Sequence, residues 1–194
     1  MRTASIVRNT LETKINCTIS LEEGKSSVST GIGFFDHMLI LMAKHGRFTL
    51  KLQTDGDLEV DTHHTVEDIG IVMGQAFRQA LGDRKGLIRY GTTFTPMDEA
   101  LSRVCTDIGG RFFLVYEVPN LREHVGDLEC ETIEEFFIAF AQNAKINLHI
   151  STLSGRNQHH IFESVFKGVG RALKKACIID PTINGYLSTK GVIE

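Results

Sequence analysis

The sequence has no C-x-x-C pair, no apolar run long enough to cross a membrane, and no excess of positive charge. Cys17, Cys105, Cys130 and Cys177 are scattered singly, which excludes a zinc ribbon or a disulfide frame and fits reduced thiols with packing roles. A membrane helix needs about 20 predominantly apolar residues, and no stretch approaches that. The opening residues, MRTASIVRNTLETK, lack the apolar core of a secretory signal, so a cytoplasmic protein is expected. A net charge of −3 and an isoelectric point near 6.2 supply no field to recruit nucleic acid. The expected partner is a small molecule. At 194 residues and 42% hydrophobic, the chain can bury a sizeable core as one large domain or two small fused ones.

Histidine is also scarce, with 8 in the chain, yet half of them sit in two matching pentads. These are His63-His64-Thr65-Val66-Glu67 and His159-His160-Ile161-Phe162-Glu163, the pattern HHxxE written twice. Imidazole is the commonest side-chain metal ligand, and carboxylate is a frequent companion. In a helix, residues i and i+4 share a face. His63 can then reach one ion with Glu67, and His159 one ion with Glu163. His64 and His160 point elsewhere, so each pentad can serve two ions. One such pair would be read as an exposed, histidine-rich helix start; two matched pentads point to a two-metal centre built from both copies.

The repetition extends further. Residues Asp36 to Ala43 read as an amphipathic helix with Gly46 as its stop, followed by a strand from Arg47 to Leu52 and a turn at 54–57. The first pentad then opens a helix after Asp61, a good N-cap, which ends near Leu81-Gly82. In the second half a helix at Glu134 to Ala141, a strand at Lys145 to Ile150 and a turn at Ser154-Gly155 lead to the second pentad helix, which runs through Leu173. Candidate strands Ser5 to Val7, Lys14 to Ile19 and Ser27 to Thr30 precede the first block. Arg89 to Thr95, Ala100 to Asp107 and Arg111 to Glu117 precede the second. The expected fold is α+β: two tandem, pseudo-symmetric βββαβα halves, each a mixed sheet with two helices on one face. The halves span about residues 1–88 and 89–180, with 181–194 as a tail, and their packing is expected to bring the two pentads within reach of each other.

This alignment places His37 opposite Glu135, and both are ligand-type residues. Nitrogen and carboxylate ligands without thiolate suit an octahedral first-row ion better than a tetrahedral zinc pair, and manganese is the first choice ahead of iron, cobalt and zinc. Arg89, Arg111, Lys167 and Ser188-Thr189-Lys190 are cations and hydroxyls near expected element ends, which suits a phosphate group. The polar tail reads as a frayed end or as a flap that closes on a ligand.

The segments GFFDHML (33–39), DTHHTVEDIGI (61–71), RYGTTFTPMDEAL (89–101), GRNQHHIFESVFK (155–167) and STKGV (188–192), with RNTLET (8–13), resemble the imidazoleglycerol-phosphate dehydratase family along nearly the entire chain. The resemblance implies loss of water from imidazole glycerol phosphate to give imidazole acetol phosphate in histidine biosynthesis. It implies two Mn2+ ions per site and a homo-oligomeric shell of about two dozen chains with sites at subunit interfaces. It assigns His37, His63, His64, Glu67, His159, His160 and Glu163 as metal ligands, with Glu135 where some members carry histidine. It places Arg89, Arg111, Ser188, Thr189 and Lys190 on the phosphate, Lys167 and His45 close to the substrate, and Glu12 near the reacting carbons. Thr62, Gly109 and Thr189 stand where relatives often have Asp, Ser and Ser. No carbonyl neighbours the C–H bond that must break, so the imidazole ring serves as the electron source that expels the hydroxyl, the ions act as Lewis acids and template, and Glu12 takes the proton. Two rival readings remain: a dimetal phosphohydrolase, which would release phosphate, and a non-catalytic metal-binding assembly protein, which would turn nothing over.

Overall fold

The computed structural model describes residues 2–193. Strict alternation shapes its strands: β2 (Thr13–Ser20) buries Thr13, Ile15, Cys17 and Ile19 and turns Lys14 and Asn16 outward. It pairs antiparallel with β1 (Thr3–Asn9). The first half continues with β3 (Ser27–Ser29), α1 (Gly33–Gly46), β4 (Thr49–Gly56) and α2 (His63–Leu81). The second contains β5 (Tyr90–Met97), β6 (Ala100–Asp107), β7 (Phe113–Glu117), a small hairpin of β8 (His124–Val125) and β9 (Leu128–Glu129), then α3 (Thr132–Ala144), β10 (Asn147–Ser154) and α4 (Gln158–Ala176). Among the described residues no helix is long and apolar enough to cross a membrane.

The sheets have matching topology, β1-β2-β4-β3 and β5-β6-β10-β7. In each, the final pair is parallel and the others antiparallel. The expected α+β architecture of two pseudo-symmetric halves with mixed sheets is therefore present. The helices form a layer between the sheets: α2 lies on β1 and β2, and α4 on β5 and β6. They also pack across the halves, α2 against α3 and α1 against α4. Phe35, Phe136 and Phe166, from three different helices, meet in one aromatic cluster with ring centroids 5.2 and 5.9 Å apart. One continuous core results, of the size a chain this long can fill.

Several local expectations are corrected. Gly46 lies inside α1; the helix is closed by Arg47 in the left-handed region, φ 48°, just as Lys145 closes α3 at φ 56°. Both following strands therefore start two residues later than the apolar alternation suggests. Gly46 serves close packing instead, since a Cβ there would stand 3.1 Å from the Gly170 carbonyl of α4. The stretch read as a turn at 54–57 is strand as far as Gly56, and Arg111 lies outside β7. The β8–β9 hairpin was not anticipated.

Candidate functional site

The pentads open α2 and α4, as the spacing predicts, but their two histidines part company. His159 Nε2 lies 3.1 Å from Glu163 Oε1, one turn on. His37 Nε2, delivered by α1, lies 3.2 Å from the same oxygen. His37, His159 and Glu163 thus converge, with ligand atoms all within 4.8 Å of one another. Phe34 braces this cluster edge-on against His159 at 5.0 Å. Glu163 is buried, and Lys167 holds its second oxygen. Burial pushes the Glu163 carboxyl up, yet the hydrogen bonds from Lys167, His37 and His159 outweigh it and bring it down to about 2. The carboxylate stays ionised, as a metal ligand requires.

The first pentad is looser. His63 Nε2 stands 3.8 Å from Glu67 Oε2, with both side chains about half exposed. Glu135 is half-buried on α3, the helix that packs on α2. Among the described residues no second group of three ligands converges. The expectation that the pentads meet within one chain is therefore corrected. Each pentad helix pairs with a helix of the opposite half, and α2 and α4 are held in separate pairs.

His64 and His160 turn to other partners. His64 Nδ1 bonds Asp57 Oδ2 at 2.9 Å, and His160 Nδ1 bonds Glu99 Oε2 at 2.7 Å. These bonds raise both imidazole pKa values, and His160 brings Glu99 down to about 2. Asp98 Oδ2 lies 3.6 Å from His160 Nε2, beyond hydrogen-bond reach.

The helix starts are fixed by carboxylates and amides. The N-cap of α2 is Thr62, one residue after the expected Asp61; Asp61 still accepts the His63 N–H at 2.8 Å, and Asn157, the N-cap of α4, accepts that of His159 at 3.0 Å. The β8–β9 hairpin reaches back to the first half. Asp127 takes the Gly33 and Phe34 N–H groups of α1, at 2.7 and 3.1 Å, and Glu129 takes the Thr62 N–H and hydroxyl before α2, at 3.0 and 2.6 Å.

Glu12 is exposed in the β1–β2 turn, close enough to His64 for its charge to raise that imidazole's pKa. His45, at the far end of α1, is lowered by partial burial and by the charges of Lys167 and Arg171. Arg89 grips Asp107 through two hydrogen bonds, 2.6 and 2.9 Å, and reaches the Leu187 carbonyl at 2.7 Å. It thereby ties the tail to the seam between the halves. Arg111 is exposed. Ser188 and Lys190 share a turn, in which Ser188 Oγ accepts the Lys190 N–H at 3.2 Å, with Thr189 exposed between them. Burial pushes the Cys17 and Cys177 thiols up to about 12, in keeping with packing roles.

Asp57, Glu99, Asp127 and Glu129 were not singled out from the sequence. Asp57 reads as a turn residue in sequence, and Glu99 lies within the segment RYGTTFTPMDEAL. For the first pentad the available signal was Asp57, a carboxylate on the connection leading into α2; Glu99 lies in the β5–β6 turn, 61 residues from His160, and gave no local signal.

Comparison with known proteins bears on the family and the fold. The imidazoleglycerol-phosphate dehydratase family model matches residues 30–173. A protein of that name from Oceanobacillus iheyensis is 56% identical over 192 residues, covering 98% of this chain and 99% of its own. Another from Heliobacterium modesticaldum is 56% identical over 195 residues and full length in both. Among solved structures, imidazoleglycerol-phosphate dehydratase from Staphylococcus aureus superposes with a TM-score of 0.82 at 40% identity, covering 90% of this chain and 97% of that one. The enzyme from Pyrococcus furiosus gives 0.83 at 34% identity, covering 96% and 99%.

Proposed function

The chain belongs to the imidazoleglycerol-phosphate dehydratase family, and from that premise we propose that it dehydrates imidazole glycerol phosphate in histidine biosynthesis as a metal-dependent enzyme of the cytoplasm. The observation that carries the metal reading is the convergence of His37 and His159 Nε2 on one oxygen of buried, ionised Glu163. Two nitrogens and a carboxylate oxygen, with no thiolate, fit Mn2+ and leave positions open for substrate. His63, Glu67 and Glu135, on the matching helix pair, would hold a second ion.

Bound there, divalent ions supply Lewis acidity to the substrate's imidazole ring. The chain's own groups do the rest. The C–O bond to the hydroxyl beside the ring breaks, and the hydroxyl leaves as water with a proton drawn from solvent. Glu12, exposed in its turn, accepts the proton from the adjacent carbon, whose C–H electrons form the new C=C bond. The resulting enol tautomerises to the ketone. Arg89, Arg111, Ser188, Thr189 and Lys190 anchor the phosphate, Lys167 and His45 lie near the substrate, and the tail closes over it.

A complete site needs more than one chain on this reading, because His64 and His160 face away from the ligand partners of their own pentads. They would complete ion sites of neighbouring copies in a homo-oligomer of about two dozen chains. Support for assembly comes from the outer face of the second sheet, where Tyr90, Phe94 and Phe113 are 51%, 56% and 58% exposed.

The test is to strip the protein with a chelator, add imidazole glycerol phosphate with and without Mn2+, and follow the keto product. Product that depends on Mn2+ is expected, with the phosphoester intact. Product formed equally without metal would overturn the metal reading, and release of inorganic phosphate would point to a phosphohydrolase.

A further inference from the structure

The second histidine of each pentad carries a carboxylate on Nδ1, but the two halves take that carboxylate from different places. In the second half it is Glu99, in the turn just before β6. The matching turn of the first half, just before β2, holds Glu12. Strict duplication would hand Glu12 to His64. Instead Asp57, at the end of β4, takes His64, while its own N–H donates to the Glu12 carbonyl at 3.1 Å. The Glu12 carboxylate is left out of that bond and stays at the exposed turn.

We propose that Glu99 and Asp57 are positioning residues that hold His160 and His64 in the tautomer whose Nε2 can bind a divalent ion. An ionised carboxylate only accepts hydrogen bonds, so the ring nitrogen facing it carries the proton. In a neutral imidazole the lone pair then sits on Nε2, which makes no hydrogen bond in either ring, the Asp98 carboxylate standing 3.6 Å from that of His160. Glu99 is itself fixed in rotation, because its other oxygen, Oε1, accepts the Arg156 and Asn157 N–H groups at 3.2 and 2.9 Å. A single side chain thus joins the β5–β6 turn, the start of α4 and the ring of His160. The division of labour in the first half, with Asp57 orienting the ring, is what leaves Glu12 available for proton transfer. The inference rests on the metal reading above.

Glu99→Gln separates orientation from folding. The amide must aim its carbonyl at the two backbone N–H groups, since its NH2 cannot accept them. Its NH2 then faces His160 Nδ1, which becomes an acceptor, and the ring proton moves to Nε2. The experiment titrates Mn2+ into chelator-stripped, assembled protein and reads free Mn2+ by electron paramagnetic resonance, with melting temperature and particle size measured alongside. Glu99→Gln should bind at least about tenfold more weakly than wild type, as lost outer partners of metal ligands do, with size and melting unchanged. Asp57→Ala, which keeps the backbone bond to Glu12, should show a similar loss. Asp57→Asn should largely restore affinity, because Oδ1 makes no hydrogen bond and the amide can turn its carbonyl toward His64. Wild-type affinity in both Glu99→Gln and Asp57→Ala would overturn the proposal. A wild-type protein that leaves all added Mn2+ free would instead overturn the metal reading on which it rests.

Discussion

His37 and Glu163 meet at 3.2 Å although 126 residues separate them in sequence. The contact joins α1 of the first half to α4 of the second, and it exists only because those helices pack across the pseudo-symmetry. Its carboxylate oxygen also receives His159, while Lys167 holds the other oxygen. Glu163→Gln keeps the shape but removes the charge that three donors address. Turnover of imidazole glycerol phosphate should fall by more than about 100-fold, since loss of even an outer partner of a metal ligand costs 10–100-fold. The rise in melting temperature that Mn2+ gives wild-type protein should shrink with it, because an ion bound only by the folded state stabilises by mass action. A variant with wild-type turnover would remove Glu163 from the centre.

Glu12 differs from Glu163 in every physical respect: it is exposed, lies in a turn, and belongs to no convergent ligand group. Glu12→Gln should therefore leave Mn2+ binding and melting unchanged. As the proposed proton acceptor, its loss should lower kcat by about 10²–10⁴-fold. Steady-state kinetics on metal-saturated protein checks this, and near-normal kcat would show the base assignment to be wrong.

The helix crossings predict a stability effect independent of chemistry. A Cβ on Gly70 would stand 2.6 Å from the Phe136 carbonyl, and one on Gly74 2.5 Å from that of Phe140, so α2 and α3 touch backbone to backbone. Gly70→Ala gains helix propensity of up to about 1 kcal/mol, but it forces the helices apart, at an overpacking cost of about 1–3 kcal/mol. The net expectation is destabilisation, measured as a lower urea midpoint. An exposed glycine inside a helix would show the opposite sign.

The sequence made some of this legible and hid the rest for identifiable reasons. The pentads and the halves were readable because 3.6-residue and 2-residue periodicities are local. His37 was found by repeat alignment, and the structure unites it with His159 and Glu163. The partition of α2 and α4 into separate cross-half pairs was not readable, because glycines that allow close packing look like helix stops, as Gly46 did. Asp57 and Glu99 escaped notice because their histidine partners lie 7 and 61 residues away. The β8–β9 hairpin has strands of two residues, too short to show alternation, and only Gly126-Asp127 marked its turn.

That hairpin yields a pH-dependent prediction. Asp127 binds the first N–H groups of α1, and Glu129 binds Thr62 ahead of α2, so one short loop holds the starts of both first-half helices that carry ligand histidines. Burial pushes Asp127 up, but the Phe34 and Gly33 N–H groups outweigh it and lower its carboxyl below the ordinary range. Glu129 is lowered chiefly by the Thr62 hydroxyl and N–H. A carboxyl whose folded pKa is depressed binds fewer protons in the folded state than in the unfolded chain. Its stabilisation is present above the unfolded value, roughly pH 4 for Asp and Glu, and is lost as pH falls through the folded value. Metal-free protein should therefore lose melting temperature below about pH 4, more steeply in wild type than in the Asp127→Asn, Glu129→Gln double variant. At pH 7 Asp127→Ala and Glu129→Ala, which remove the acceptor outright, should each cost about 1 kcal/mol, the usual cost of a lost helix cap, with hydrogen exchange accelerated first at residues 33–36 and 62–65. Equal acid slopes in wild type and double variant would show that the hairpin does not hold these helix starts through its charges.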